Sequence, residues 1–219
     1  MSNNDRILPH FVSFEGGEGA GKTSLIDSVE RTLVDQGIPV IRTREPGGTF
    51  LGETIRSMLM DKGMQTPIQA KTELLLFLAA RVQHINEVIA PAIKAGKIVL
   101  CDRFNDSTIA YQGAGRHLGV PWVTQLCEMV CGGIVPDLTF YLDVDPTVGL
   151  DRARGVDKDT APAGDVDRIE AEELSFHQNV RQAFLEIARK SPLRFYVIDA
   201  HRSQTEVFEA VLGILNRSN

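Results

Sequence analysis

The sequence predicts an α/β chain: a parallel sheet covered by helices on both faces. Three observations predict it. Short β-rich runs alternate with longer segments of helical periodicity along the whole length. The runs are apolar on consecutive residues, as strands buried on both faces require. The segments rich in chemistry fall at the ends of these runs, and in such sheets ligands bind beyond the carboxyl ends of the strands.

The first strand is Phe11-Val12-Ser13-Phe14, which runs straight into a glycine cluster. From Lys22, the positions Leu25, Ile26, Val29, Leu33 and Val34 follow helical spacing. Gly37 then offers a helix stop and Pro39 forbids continuation. Val40-Ile41 opens a second strand that ends near Arg44-Glu45-Pro46-Gly47-Gly48. Helices are predicted over Phe50 to Met60 and over Thr72 to Ile93, the latter broken or ended around Pro91. After Gly96, Ile98-Val99-Leu100-Cys101 is a fully apolar strand, and Val120 to Cys131 is helical. Leu138 to Leu142 is a strand, with a short helix from Pro146 to about Arg152. Residues 155–165 are the most loop-like stretch, and Ile169 to Ala188 reads as a long amphipathic helix. Phe195-Tyr196-Val197-Ile198 and Glu206 to Leu215 supply the last strand and helix.

With 219 residues, the chain suits one domain with at most a mobile insert. No apolar run approaches the roughly 20 residues needed to span a bilayer. The polar stretch Met1 to Arg6 lacks a secretory pattern, so a cytoplasmic protein is expected. A net charge of −6 argues against a nucleic-acid binder, which needs a basic face to neutralise phosphates. Cys101, Cys127 and Cys131 make no disulfide framework. Cys127 and Cys131 share a helix face with Val120, Val123 and Val130, so core packing is expected rather than metal binding.

Gly16-Gly17-Glu18-Gly19-Ala20-Gly21-Lys22-Thr23 fits the pattern G-x-x-x-x-G-K-[ST] between a strand and a helix. Its glycines let backbone N–H groups turn toward phosphate oxygens, and the helix begins where its positive dipole end meets the anion. Lys22 can reach the β- and γ-phosphates, and the Thr23 hydroxyl can ligate Mg²⁺. The motif implies a bound nucleoside triphosphate, and no more than that.

The run ending in Asp102-Arg103 has the apolar-strand-then-acid form that places a carboxylate near the metal beside such a loop. Leu138 to Asp143 ends in an acid as well; the arginine directly after Asp102 favours the former, and Arg103 could neutralise a phosphate. A guanine-reading N-K-x-D element is absent, which disfavours a GTP switch. A kinase of a second nucleotide then needs cations for the acceptor phosphate. Rival readings are a kinase of another pyrimidine monophosphate or deoxynucleoside, a regulatory NTP-binding protein and a DNA-binding ATPase.

Here the chain resembles bacterial thymidylate kinases. The resemblance is carried, in family order, by GGEGAGKTS (16–24), TREPGGT (43–49), LLLFLAARVQH (74–84), CDRFNDSTIAYQGAGR (101–116), PDLTFYLDVDP (136–146) and DRIE (167–170). It implies a three-layer P-loop kinase fold, with a five-stranded parallel sheet and helices on both faces. It also implies a homodimer that transfers the ATP γ-phosphate to dTMP with Mg²⁺, giving dTDP for DNA precursor synthesis.

The resemblance further implies roles for particular residues. Arg44 and Arg103 would hold the acceptor phosphate; Phe77 would stack on thymine and Arg81 would read its O4. Four residues apart, the last two share a helix face. Thr108, Tyr111 and Gln112 would line the base and sugar, with Tyr111 packing where a ribose 2′-OH would project. Glu18 would lie near the sugar and the metal, which Thr23 and Asp102 would hold. Taken singly, Phe77 and Tyr111 would pass for packing residues and Arg81 for a solvated one; only their joint match makes them candidates. With Gly19 where some relatives carry arginine, Arg152 and Arg154 resemble lid cations, Lys158 being a third, in a lid at about 152–168. That lid is longer and more acidic than the compact basic form. Arg168 is open between an adenine-side contact and a helix-start salt bridge.

Overall fold

The computed structural model describes residues 9–61, 63, 66–155 and 168–217. Five strands, β1 (Phe11–Gly16), β2 (Val40–Arg44), β3 (Ile98–Asp102), β4 (Leu138–Asp143) and β5 (Phe195–Asp199), form one all-parallel sheet in the order β2-β3-β1-β4-β5. Helices α1 (Lys22–Asp35), α2 (Phe50–Met60), α3 (Ala70–His84), α4 (Ala90–Lys94), α5 (Asn105–Thr108), α6 (Val120–Cys131), α7 (Pro146–Ala153), α8 (Leu174–Lys190) and α9 (Gln204–Leu215) surround it. The predicted fold class is therefore the observed one.

Alternation along each strand sorts its side chains between two cores. Val12 and Phe14 of β1, Leu100 of β3 and Phe140 and Leu142 of β4 pack with Ile26 and Val29 of α1 and Val211 of α9. On the other face, Phe11, Val99 and Cys101 meet Ile89, Phe104 and Cys131, while Tyr141 and Phe195 meet Val180 and Phe184 of α8. Each fully buried side chain of this size contributes roughly 1.5–3 kcal/mol. All three cysteines are free and buried, Cys127 packing with Leu74, Leu78 and Val123; for Cys127 and Cys131 the apolar stripe predicted this.

Three helical segments differ from expectation. The 70–94 stretch is not interrupted at Pro91. It continues through a π turn at Ile85–Ile89 directly into α4, which contains Pro91. The helix predicted from Ile169 starts at Leu174 instead. Arg168 and Glu172 are bonded across to Glu73 and Arg116, which holds this stretch off the helix axis. Finally, α5 and the π turn Ile109–Gly115 form a helical unit the periodicity did not reveal. It is buried nearly all round, so it carries no solvent face to mark a period.

Candidate active site

The order β3-β1-β4 places the carboxyl ends of β1 and β3 side by side, with Phe14 opposite Asp102. Two motifs 80 residues apart in sequence thus open on one crevice, the topological switch point of the sheet. The loop after β1 turns through Gly16 to Gly21 into α1, where Gly21 is the N-cap. Lys22 Nζ donates to the carbonyls of Gly16 and Gly17, at 3.2 and 3.0 Å, so its buried ammonium sits across the loop. At Gly19, φ is +64°, and a Cβ there would stand 2.0 Å from Gly149 O in α7. The loop therefore lies directly on α7, and that contact forbids a side chain at 19.

β3 ends in Asp102, and Arg103 then takes a left-handed φ of 70° while its N–H donates to Phe14 O at 3.0 Å. Non-glycine residues adopt that conformation at a cost, often where function needs a side chain aimed. Here the turn sends the guanidinium back across the crevice. Its Nη2 donates to Glu18 Oε1 at 2.6 Å and its Nη1 to Tyr111 Oη at 3.1 Å. Burial pushes the Glu18 carboxyl up, but Arg103 and Lys22 outweigh it and hold it below the ordinary carboxylate range. Burial and Arg103 together push the Lys22 ammonium down.

Two clefts meet at this point. The first is lined by Phe77, Arg81, Phe104, Thr108, Tyr111 and Gln112, with Met60, Pro46, Ser107 and Ile169. The second, about 470 Å³, is lined by residues 18–24 of the glycine loop with Arg44, Asp102 and Arg152. Glu18, Glu45, Arg56 and Arg103 belong to both. An apolar and aromatic chamber thus opens into a cationic one through a wall of two arginines and two glutamates.

Nearly all the residues singled out from the sequence gather here. Phe77 and Arg81 do share a helix face and one cleft. Arg81 is not solvated but 1% exposed; it donates to Glu45 Oε2 at 2.7 Å and to Thr108 Oγ1 at 2.9 Å. Glu45 Oε1 also meets His84 Nδ1 at 2.9 Å, while His84 Nε2 meets Thr43 Oγ1 at 2.5 Å. A Cβ at Gly48 would strike that imidazole, which accounts for glycine in the turn after β2. Arg44 lines only the second cleft, half-exposed and paired with Glu53 at 2.9 Å. Arg152 also lines it and donates to Ala200 O at 3.1 Å. Arg154 ends α7 exposed and lines neither cleft, and Lys158 lies outside the described residues. Arg168 lines neither cleft; it makes a salt bridge to Glu73 in the first turn of α3 and donates to Leu59 O. Sequence reasoning gave no role to Arg56 and Met60, which lie outside the quoted motifs, nor to Glu45 and Ile169, which lie inside TREPGGT and DRIE.

Of the two strand-end acids, Asp143 is occupied: Arg181 clamps both its oxygens, at 2.7 and 3.0 Å. Asp102 lines the second cleft with Thr23, and its buried Oδ1 has no hydrogen-bond partner among the described residues. A buried carboxylate oxygen left so is costly unless a cation meets it.

Known proteins share this architecture. The family model for thymidylate kinase matches residues 14–211. The chain belongs to the thymidylate kinase family. It is accordingly a phosphotransferase, in a family whose reaction is phosphorylation of dTMP. It is 51% identical to the thymidylate kinase of Protochlamydia amoebophila over 206 residues, 94% of this chain and 92% of that one. It is 44% identical to that of Acaryochloris marina, covering 95% and 96%. The crystal structure of thymidylate kinase from Ehrlichia chaffeensis superposes with a TM-score of 0.72 at 35% identity, covering 94% of this chain and 97% of that one.

Proposed function

We propose that dTMP occupies the first cleft and the ATP phosphates the second, so that the acceptor phosphate meets the γ-phosphate at the shared wall of Glu18, Arg56 and Arg103. The observation that carries this reading is that wall itself: one chamber suits a base, the other, with Lys22, Arg44 and Arg152, suits a polyphosphate, and Arg56 and Arg103 stand where the two meet, beside Glu18 and Glu45. Phe77 stacks on thymine and Arg81 donates to its O4. Thr108, Tyr111 and Gln112 line base and sugar, and Arg44 joins Arg103 on the acceptor phosphate.

The chemistry asks mainly for position and charge. A phosphate monoester with a second pKa near ~6 is largely dianionic at neutral pH and already nucleophilic. No general base is needed. The obstacle is repulsion between two anions, which Lys22, Arg44, Arg56 and Arg103 offset while holding them in line. Backbone N–H groups of residues 16–23 cradle the β-phosphate side. Arg152, on the rim, serves as the cation that Gly19 cannot supply, with Arg154 a second candidate. The residues fit Mg²⁺: the Thr23 hydroxyl and the unpartnered Asp102 Oδ1 would hold it, directly or through water, and few protein ligands suffice for an ion that keeps waters and phosphates. When bound, it would supply positive charge that offsets the charge developing on the phosphates during transfer.

We read the chain as one kinase domain with a lid at about 152–168, of which 156–167 lie outside the described residues. A homodimer is supported by exposed apolar pairs at helical spacing seven: Leu51 and Met58 on α2, Leu75 and Val82 on α3, Trp122 and Met129 on α6. The helix α3 packs against both α2 and α6. Light scattering that shows twice the 24.1 kDa chain mass checks this. No helix among the described residues is long and apolar enough to cross a membrane, which agrees with a cytoplasmic site of action. The reaction itself is tested by a coupled assay with Mg-ATP and dTMP, dUMP, dCMP or CMP. Transfer to dTMP is expected to dominate and to fail on chelation of the metal. Preference for CMP would overturn the substrate.

A further inference from the structure

The geometry points to Glu73 as a specificity-determining positioning residue: its carboxylate fixes which end of the Gln112 amide faces the first cleft. This rests on the reading of that cleft as the dTMP site.

Glu73 lies in the first turn of α3, a position where an acid is usually a solvated partner of the helix dipole. It is instead 1% exposed and lines neither cleft. Gln112, on the π turn after α5, is equally buried and does line the first cleft. Glu73 Oε1 accepts from Gln112 Nε2 at 2.8 Å and from Arg116 Nε at 3.1 Å. Glu73 Oε2 accepts from Arg116 Nη2 at 3.2 Å and Arg168 Nη2 at 2.5 Å. Four donors fill its lone-pair directions. Burial raises this carboxyl, but Arg116, Gln112 and Arg168 outweigh it and keep it ionised.

An ionised carboxylate only accepts hydrogen bonds. It can face the NH₂ end of a glutamine and repels the carbonyl end. With Nε2 so engaged, the Gln112 carbonyl is the end left for the cleft, and no side chain among the described residues donates to it. Arg81, on the same cleft, is donor-only. Arg81 and Gln112 therefore offer the base a donor and an acceptor. Thymine and uracil present an acceptor at O4 and a donor at N3–H, whereas cytosine presents the reverse pair. A site built for one pattern rejects the other because buried polar groups would be left unpaired. Glu73, which touches no substrate, would thus set the choice of base through Gln112.

In Glu73→Gln, the remaining oxygen is drawn to the two guanidiniums on the Oε2 side, which turns the new NH₂ toward Gln112. The Gln112 amide then reverses and offers a donor to the cleft. The test is kcat/KM for dTMP, dUMP and dCMP in wild type and in E73Q, with melting temperature recorded. The dTMP-to-dCMP ratio is expected to fall by about 10- to 100-fold. The change should reside in the KM of the pyrimidine, with the KM of ATP and kcat at saturating dTMP held near wild type. A loss of structure alone would weaken both pyrimidines alike. E73D keeps the charge the guanidiniums need but ends one methylene short of Gln112; it gives the same fall and is read if E73Q does not fold. A ratio within about 3-fold of wild type in a folded variant overturns the assignment. So does failure of both variants to fold, which would make Glu73 a folding residue only. If wild type does not phosphorylate dTMP, the reading of the cleft fails instead, a distinct result.

Discussion

On the proposed reading, the two halves of the crevice would hold anions in different ways. The glycine loop would work through consecutive backbone N–H groups and a helix N-terminus, so it needs residues that lack side chains. The acceptor half would work through guanidiniums brought from β2, α2, α3 and the turn after β3, three of them held by a neighbouring acid. Arg81 rests on Glu45, Arg103 on Glu18 and Arg44 on Glu53. The difference teaches that one half is disrupted by adding atoms and the other by removing them.

The sharpest way to break that contrast is Arg103→Ala. Loss of the cation at the junction should lower kcat with dTMP by roughly 10²–10³-fold, while binding of an ATP analogue, measured by calorimetry, stays within a few-fold. Equal loss of both would place Arg103 in the triphosphate site instead. The complementary substitution is Gly19→Ala. Its Cβ meets the Gly149 carbonyl and must push the loop off α7. ATP affinity should drop by about tenfold or more, with dTMP affinity unchanged by the same measurement. Arg81→Lys comes next. It keeps a charge beside buried Glu45 but loses the planar fork, so the dTMP KM should rise by about tenfold and the ATP KM should hold.

The smallest effect expected concerns the seam between the halves. Glu15, at the end of β1, accepts from Phe104 N and bonds Ser107, tying the loop strand to the turn after β3. Burial, and then Asp106, push its acid up to about 8 from an ordinary 4.5. The folded chain thus holds a proton between those values that the unfolded chain releases. The stability from this group is complete below about pH 4.5 and is lost as pH rises through about 8. Urea midpoints at pH 5, 7 and 9 should fall with pH in wild type, and less steeply in Glu15→Gln.

The same contrast explains what the sequence disclosed. The glycine loop is eight consecutive residues whose physics is local, so Gly16 to Thr23 could be read directly, and the apolar strands gave the sheet. The acceptor half has no contiguous signature. Phe77, Arg81, Tyr111 and Gln112 are ordinary residues until the sheet order brings their segments together, and only resemblance to a family marked them. Arg56 and Met60 fell outside its motifs and were seen only in three dimensions, and Ile169, although inside DRIE, was given no role until the cleft was seen. Glu73 was hidden for a further reason: an acid in a first helical turn already has a sufficient local explanation, and its burial depends on Arg116 and Arg168, 43 and 95 residues away.

A crystal structure with dTMP, Mg²⁺ and a non-hydrolysable ATP analogue bears most directly on the account. The dTMP phosphate is expected against Arg44, Arg56 and Arg103 and in line with the terminal phosphate of the analogue, its base between Phe77 and Arg81. A dTMP molecule bound outside that cleft, or one whose phosphate points away from the glycine loop, would contradict it.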